Sequence, residues 1–344
     1  MILVNGRFLT QETTGVQRFA RQVCIAMVEG GEQLHFLVPC GRLDLSGLEN
    51  QKISVVGHQQ GHLWEQIELP LRVTRMRGQV LLNLCSTAPI WLRNQITSHH
   101  DITYIRHKES FSWKFRWTYR TLAPLFLRRS KGIITVSEFS KHEISSIYNI
   151  PLEKFTIVPN AVDSRFVETP EQNEDSYFLA VASPNVHKNF GRLVKAYEEY
   201  CANGGTTRLV IAGSQPSHFT QDNSLSSQVE YLGRVTDDEL IDLYARARAF
   251  LFPSLYEGFG IPPLEAQAAG TPVAAASVAA MPEVLQDSVM WFDPHNTSEM
   301  TRTMMQIDED PALRENFRSL GLTNVARFSW KKSASIIVEL LRTN

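Results

Sequence analysis

Two glutamates eight positions apart, Glu257 and Glu265, bracket a turn and a helix start whose polar groups could bind a ligand with both anionic and hydroxyl parts. The apolar run Ala249–Phe252 reads as a buried strand. A loop follows with Glu257, Gly258, Phe259 and Gly260, then Ile261 and two prolines, Pro262 and Pro263, where a first helical turn tolerates them. Leu264 to Ala269 continue as helix formers, and Gly270, Thr271 and Pro272 end the helix. Unpaired amides and a partial positive charge at a helix N-terminus suit phosphate. Carboxylates repel phosphate but accept hydrogen bonds from neutral hydroxyls. Amides for the phosphates and acids for the alcohols together suit a sugar nucleotide. Lys188 adds an ammonium at the start of another helix, a position the helix dipole disfavours unless the charge faces an anion. The plain alternatives are acids placed by a helix dipole and a solvated lysine.

The elements that must position these groups alternate in type. Strand candidates are Met1–Val4, Leu34–Val38, Val80–Leu84, Ile133–Val136 and Phe155–Val158, then Tyr177–Ala182, Arg208–Ala212, Val229–Leu232, Ala249–Phe252, Pro272–Ala276 and Val289–Phe292. Helical patterns separate them at Gln17–Glu29, Lys114–Arg129, Glu138–Tyr148, Asn189–Cys201, Asp238–Ala247 and Pro311–Arg327. Such alternation predicts parallel sheets covered on both faces. The polar stretch Asp163–Ser176 separates two series and reads as a linker. At 344 residues the chain is long enough for two cores.

Composition narrows the function. Four scattered cysteines, Cys24, Cys40, Cys85 and Cys201, form no close pair, which fits a reducing compartment and argues against a zinc site. No signal peptide or spanning segment is evident, so the expected location is cytoplasmic. Residues 1–165 carry 20 Lys+Arg against 13 Asp+Glu, and residues 166–344 carry 14 against 23. The basic excess concentrates in 106–131, where eight basic residues meet one acid and Phe111, Trp113, Phe115, Trp117 and Tyr119 interleave. That segment suits peripheral contact with the inner face of an anionic plasma membrane, and equally a buried aromatic face with solvated charges. No nucleic-acid motif accompanies it. Asp308-Glu309-Asp310 has the look of a metal-binding triplet, but Pro311 makes Asp310 an N-cap, and no metal is expected.

The segment from Tyr256 to Val273 resembles the signature of retaining glycosyltransferase family 4, and the resemblance extends over nearly the whole chain. It implies an α/β GT-B fold: two Rossmann-like domains whose parallel sheets face each other across a cleft. The first, acceptor-binding domain would span 1–165 with a C-terminal helix, 329–344, crossing back; the nucleotide-sugar-binding domain would span 166–328. Thr14 to Arg18 look like the glycine-rich first loop, with Gly15 near the donor diphosphate and Arg18 on the acceptor side. Lys188 and Asn189 match the family's Lys-Asn. An arginine common in relatives is replaced by Ala182, leaving Ser183 or Asn185 to supply neutral hydrogen bonds. His100 and Asp101 match its His-Asp, with His100 near the reacting sugar, and Arg106 and His107 would line the acceptor side. Tyr231 to Leu240 resemble the loop that reads the base, near Arg234 and Val235. Ser137 reads as an N-cap and Asn160 as a turn former.

By this resemblance His100, Lys188 and Glu257 are catalytic. Gly15, Ser183, Lys188, Val235, Glu257, Gly258, Phe259, Gly260, Ile261 and Glu265 bind the nucleotide-sugar, Glu265 at the ribose hydroxyls. The implied reaction moves a hexose to a hydroxyl of a glycan or lipid-linked glycan in cell-surface polysaccharide synthesis. It proceeds with retention and needs neither metal nor cofactor. GDP-mannose leads as donor, with UDP-glucose, UDP-GlcNAc and dTDP-rhamnose open. The competing reading is a non-catalytic nucleotide-sugar-binding subunit of the same fold. A dinucleotide oxidoreductase would need a Gly-x-Gly-x-x-Gly turn after a strand, with an acid about 20 residues on, and the chain has none.

Overall fold

A computed structural model describes residues 1–76, 78–166, 176–183, 185–213 and 229–344. Most of the expected linker, 167–175, lies outside the described residues. The chain divides into two compact units. The first comprises Met1–Ile102, Trp113–Asn160 and Ser329–Asn344; the second comprises Thr103–Ser112 and Ala161–Phe328. The sequence pattern sets the cut after 165 and keeps 103–112 with the first domain.

Among the described residues, the first unit holds a parallel sheet of seven strands: β1 (Ile2–Asn5), β2 (Leu34–Val38), β3 (Lys52–Val55), β4 (Leu81–Asn83), β5 (Gln95–Ser98), β6 (Gly132–Thr135) and β7 (Phe155–Ile157). They lie in the order β3-β2-β1-β4-β5-β6-β7. The second unit holds six: β8 (Tyr177–Ala182), β9 (Leu209–Gly213), β10 (Val229–Gly233), β11 (Ala247–Phe252), β12 (Val273–Ala276) and β13 (Met290–Phe292). Their order is β10-β9-β8-β11-β12-β13. Parallel pairing throughout forces each strand to return through a crossover; helices supply several of those the structure describes, while irregular chain joins β2 to β3 and β4 to β5.

Burial explains why these segments fold as they do. All five residues of β2 are buried, as a strand covered on both faces requires. Two strands escape the hydrophobic pattern. β3 is an edge strand with no fully buried residue, and the residues of β5 are mostly polar yet all buried. The polar side chains of β5 are paired inside: Gln95 Nε2 donates to the carbonyls of Pro89 and Leu92, both at 2.8 Å, and Thr97 Oγ1 lies 3.0 Å from Ser130 Oγ. Hydrogen bonding removes the cost of burying them.

The helix Trp330–Thr343 packs in the first unit. Trp330 lies edge-on to Phe19, with centroids 6.0 Å apart, and Ser333 Oγ donates to the Pro159 carbonyl at 2.7 Å. No helix among the described residues is long and apolar enough to cross a membrane.

Candidate active site

The second sheet reverses its strand order between β8 and β11. In open α/β sheets, ligands bind outside the carboxyl ends of the strands at such a reversal. The loops leaving these two strands carry Lys188 and Glu257. Asn189 adopts a left-handed conformation (φ 62°, ψ 25°) just before the helix Phe190–Ala202. Its buried amide donates to the carbonyls of Pro253 (3.0 Å) and Pro294 (2.8 Å). The Leu255 amide donates to the His187 carbonyl at 2.7 Å. With the loops tied this way, Lys188 Nζ meets Glu257 Oε1 at 2.6 Å, the side chains being 19% and 15% exposed.

The turn beyond Glu257 depends on glycine. Gly260 has φ 83°, and a Cβ there would stand 2.5 Å from Met281 Cε. This residue opens the helix Ile261–Ala268, which has proline in its first turn. Glu265 lies one turn in, is buried, and accepts a hydrogen bond from the Tyr244 hydroxyl at 3.3 Å. The Phe259 ring is buried edge-on to Phe328, with centroids 5.4 Å apart, so its backbone is what it can offer a ligand. Ser183 follows β8, and its Oγ accepts from Asn185 Nδ2 at 3.2 Å. Val235 follows β10, two places from β8 in the sheet. With Arg234 it lines a cavity of about 440 Å³ that reaches Tyr177 at the amino end of β8, away from the Lys188–Glu257 pair.

Arg106 and His107 are grouped with this unit, although the chain on either side of Thr103–Ser112 belongs to the first. The His107 ring lies 5.6 Å from both the His187 and Tyr256 rings. Ser110 Oγ is 2.9 Å from His187 Nδ1, and Glu109 is 3.1 Å from His107 Nδ1. His187 and Tyr256 are chain neighbours of Lys188 and Glu257, so this segment buttresses both arms of the ion pair. Arg106 is exposed.

In the first unit, Gly15 opens the helix Gly15–Glu29, and the Thr14 amide donates to Gln17 Oε1 at 3.3 Å. No described atom lies within 4 Å of where a Cβ on Gly15 would stand, so internal packing does not demand glycine. Arg18 sits half-buried on the same turn, beside Phe19. His100 packs edge-on against the Phe19 ring at 4.6 Å. Burial pushes the His100 imidazole down to about 4, the nearby Asp101 only partly opposing it, so the ring is neutral at pH 7. Its Nε2 is buried without a hydrogen-bond partner among the described residues. Phe19, the chain neighbour of Arg18, thus holds the His100 ring.

Sequence reasoning passed over a second ion pair. The first sheet reverses between β1 and β4. Arg7, just past β1, donates from Nη1 to Glu65 Oε2 at 2.6 Å. Glu65 comes from a π-helical turn, Trp64–Glu68, and is 1% exposed. Its other oxygen accepts from Asn5 Nδ2 and Thr87 Oγ1, both at 2.9 Å, and Asn5 in turn donates to Asn83 Oδ1 at 3.0 Å. His62 Nδ1 lies 3.2 Å from Arg7 Nη1. Burial pushes the Glu65 carboxyl up, but Arg7, His62 and Asn5 together hold it below the usual carboxylate range. The available signal was an asparagine and an arginine immediately after the first apolar run.

The acidic triplet is spent structurally. Asp308 Oδ1 accepts from Thr207 Oγ1 at 2.8 Å and pairs with Arg248, while Asp310 accepts the Leu313 amide at 2.9 Å as an N-cap. Ser137 likewise caps its helix by accepting the Ser140 amide at 3.0 Å. Among the described residues, no three His, Cys, Asp or Glu side chains are grouped to hold a metal.

Known proteins share the pattern of this chain. A profile described as "Glycosyltransferase Family 4" matches residues 13–166, and one described as "Glycosyl transferases group 1" matches residues 162–321. The O-antigen chain mannosyltransferase RfbU of Salmonella typhimurium is 30% identical over 278 residues, covering 78% of this chain and 75% of the relative. The chain belongs to glycosyltransferase family 4. O-antigen chain mannosyltransferase B of Escherichia coli is 29% identical, covering 71% of this chain and 68% of that one. Among solved structures, Anabaena Alr3699/HepE in complex with UDP-glucose superposes with TM-score 0.72 at 17% identity, over 100% of this chain and 99% of the other. This family 4 protein therefore has the GT-B fold and is a glycosyltransferase.

Proposed function

We propose that this enzyme transfers mannose from GDP-mannose to a hydroxyl of a glycan or lipid-linked glycan during cell-surface polysaccharide synthesis. It does so with retention of configuration and without a metal. The observation that carries the reading is the Lys188–Glu257 pair at the reversal of the second sheet, beside the N-terminus of Ile261–Ala268. A donor diphosphate would take the Lys188 ammonium away from Glu257 and add the helix amides to it. That exchange releases the Glu257 carboxylate to accept hydrogen bonds from sugar hydroxyls. As the glycosidic bond breaks, Lys188 and the amides stabilise the negative charge growing on the diphosphate. Glu265 holds the ribose hydroxyls. Neutral His100, with its open Nε2, contacts the reacting sugar by hydrogen bonding rather than by charge. Retention follows from attack on the face the diphosphate leaves, its oxygen taking the acceptor proton. Mannose is favoured because two relatives carry that activity in their names.

The test is transfer and donor hydrolysis by purified protein across GDP-mannose, UDP-glucose, UDP-GlcNAc and dTDP-rhamnose. Turnover with GDP-mannose above the others is the expected result. Nucleotide-sugar binding with no turnover on any donor would favour the non-catalytic reading.

The same reading includes docking of the first unit on anionic lipid. The helix Trp113–Arg129 carries five basic residues and no acid. Trp113 and Trp117 on it are 69% and 67% exposed, and Trp91, under Arg129, is 69% exposed. Aromatic rings beside basic side chains suit the headgroup layer. Co-sedimentation with phosphatidylglycerol vesicles, reduced severalfold in Trp113→Ser/Trp117→Ser, is expected. Equal recovery of both proteins with the vesicles would refute it.

A further inference from the structure

We infer that the Arg7–Glu65–His62 cluster is a second sugar subsite, one that holds a neutral ring of the acceptor; the inference rests on the glycosyl-transfer reading. Its position is set by topology: the cluster lies where the first sheet reverses, outside the carboxyl ends of β1 and β4, the place where sheets of this kind bind ligands. Asn5 and Asn83, the last residues of those two strands, bond to each other beneath it.

Its chemistry selects the ligand. Glu65 is saturated by Asn5, Thr87 and Arg7 and has nothing left to give. Arg7 spends only Nη1 on Glu65 and His62; its remaining N–H groups make no hydrogen bond among the described residues, although the residue is 9% exposed. A guanidinium fixed by a buried carboxylate presents donors in a set plane. The pair carries no net charge, so an incoming phosphate would meet Glu65 as well as Arg7, whereas a hydroxyl oxygen accepts from the open N–H groups at no such cost. The Tyr119 hydroxyl lies within electrostatic reach of Arg7 and Glu65, and its ring stacks on Phe115 with centroids 4.4 Å apart. Energetics argue the same way. A buried ion pair adds little stability over apolar packing, and π-helical turns such as the one carrying Glu65 recur at functional sites.

The experiment is saturation-transfer NMR on the full chain with a panel of methyl glycosides of mannose, glucose, galactose, rhamnose and N-acetylglucosamine. GDP, or UDP if that nucleotide binds instead, is held at saturation so that the donor site is filled. At least one glycoside should bind the wild type under these conditions. Arg7→Gln and Arg7→Lys should weaken it tenfold or more, because a lysine cannot reproduce the planar fork, and His62→Ala, at a half-exposed position, should weaken it severalfold. Nucleotide affinity should stay within twofold in all three. The inference is overturned if no glycoside binds, if nucleotide displaces the sugar completely, or if Arg7→Lys and His62→Ala retain wild-type sugar affinity. It is also overturned if inorganic phosphate, and no glycoside, binds in an Arg7-dependent way. Absence of any nucleotide binding to the wild type, with sugar still bound at Arg7, would instead defeat the glycosyl-transfer reading alone.

Discussion

Each sheet reverses its strand order once, and at each reversal a cation and a carboxylate stand 2.6 Å apart. The two pairs differ in what surrounds the acid. Glu65 is sealed in and receives three donors, while Glu257 is more open and its carboxylate makes one hydrogen bond among the described residues, to Lys188. A saturated carboxylate fixes its cation and cannot exchange partners. One held by a single lysine has only one bond to break, as the proposed diphosphate binding requires. The difference teaches that similar geometry at topologically equivalent places can be built rigidly or with a single tie.

The sharpest way to break this comparison is to remove the exchangeable cation. Lys188→Ala is expected to lower turnover by about 10²–10³-fold, the scale of losing one donor to a developing anion, with an unchanged melting temperature. Normal kcat on the true donor would remove Lys188 from the chemistry. Next comes stability. Glu65→Ala strands Arg7 in the interior and should cost about 3–5 kcal/mol, whereas Glu257→Ala should cost about 1 kcal/mol or less. Urea unfolding of both proteins reads this directly, and equal losses would mean the pairs are alike. Glu265→Ala should then weaken nucleotide binding by about tenfold by calorimetry, the value of a charge-assisted hydrogen bond, without altering the fold.

The comparison is sharpened further by pH dependence. His99 and His100 are both pushed down to about 4 by burial. From pH 6.5 down to 4 the unfolded chain therefore binds protons that the folded one refuses. Stability should fall through that window by about 1.4 kcal/mol per pH unit for each imidazole. His100→Gln should flatten the slope. Glu65 has the opposite habit, a depressed carboxyl. Its contribution is whole above about pH 4.5, the ordinary value for a glutamate, and is lost only as pH falls below that through the folded value. Denaturant midpoints at pH 7, 5.5 and 4 separate the two.

Much of this was legible in the chain. β2, β8 and the helix Glu138–Tyr148 have the bounds that apolar spacing and capping residues predict. Gly260 announced a turn that only glycine fits. What stayed hidden was hidden for physical reasons. β5 reads as polar because its side chains are buried by pairing rather than by being apolar, and β3 is an edge strand without an inner face to mark it. Arg7 and Glu65 meet across 58 positions, a distance no local pattern records. The grouping of Thr103–Ser112 with the second unit rests on packing between His107, His187 and Tyr256, ring contacts that spacing cannot foretell.

That ten-residue excursion matters to anyone building hybrid enzymes. A gene cut at residue 160 to swap donor specificities would join one parent's ion-pair loops to the other parent's histidine prop. Chimaeras that carry residues 103–112 along with 161–328 should keep their turnover, and those that leave the excursion behind should bind nucleotide but transfer poorly.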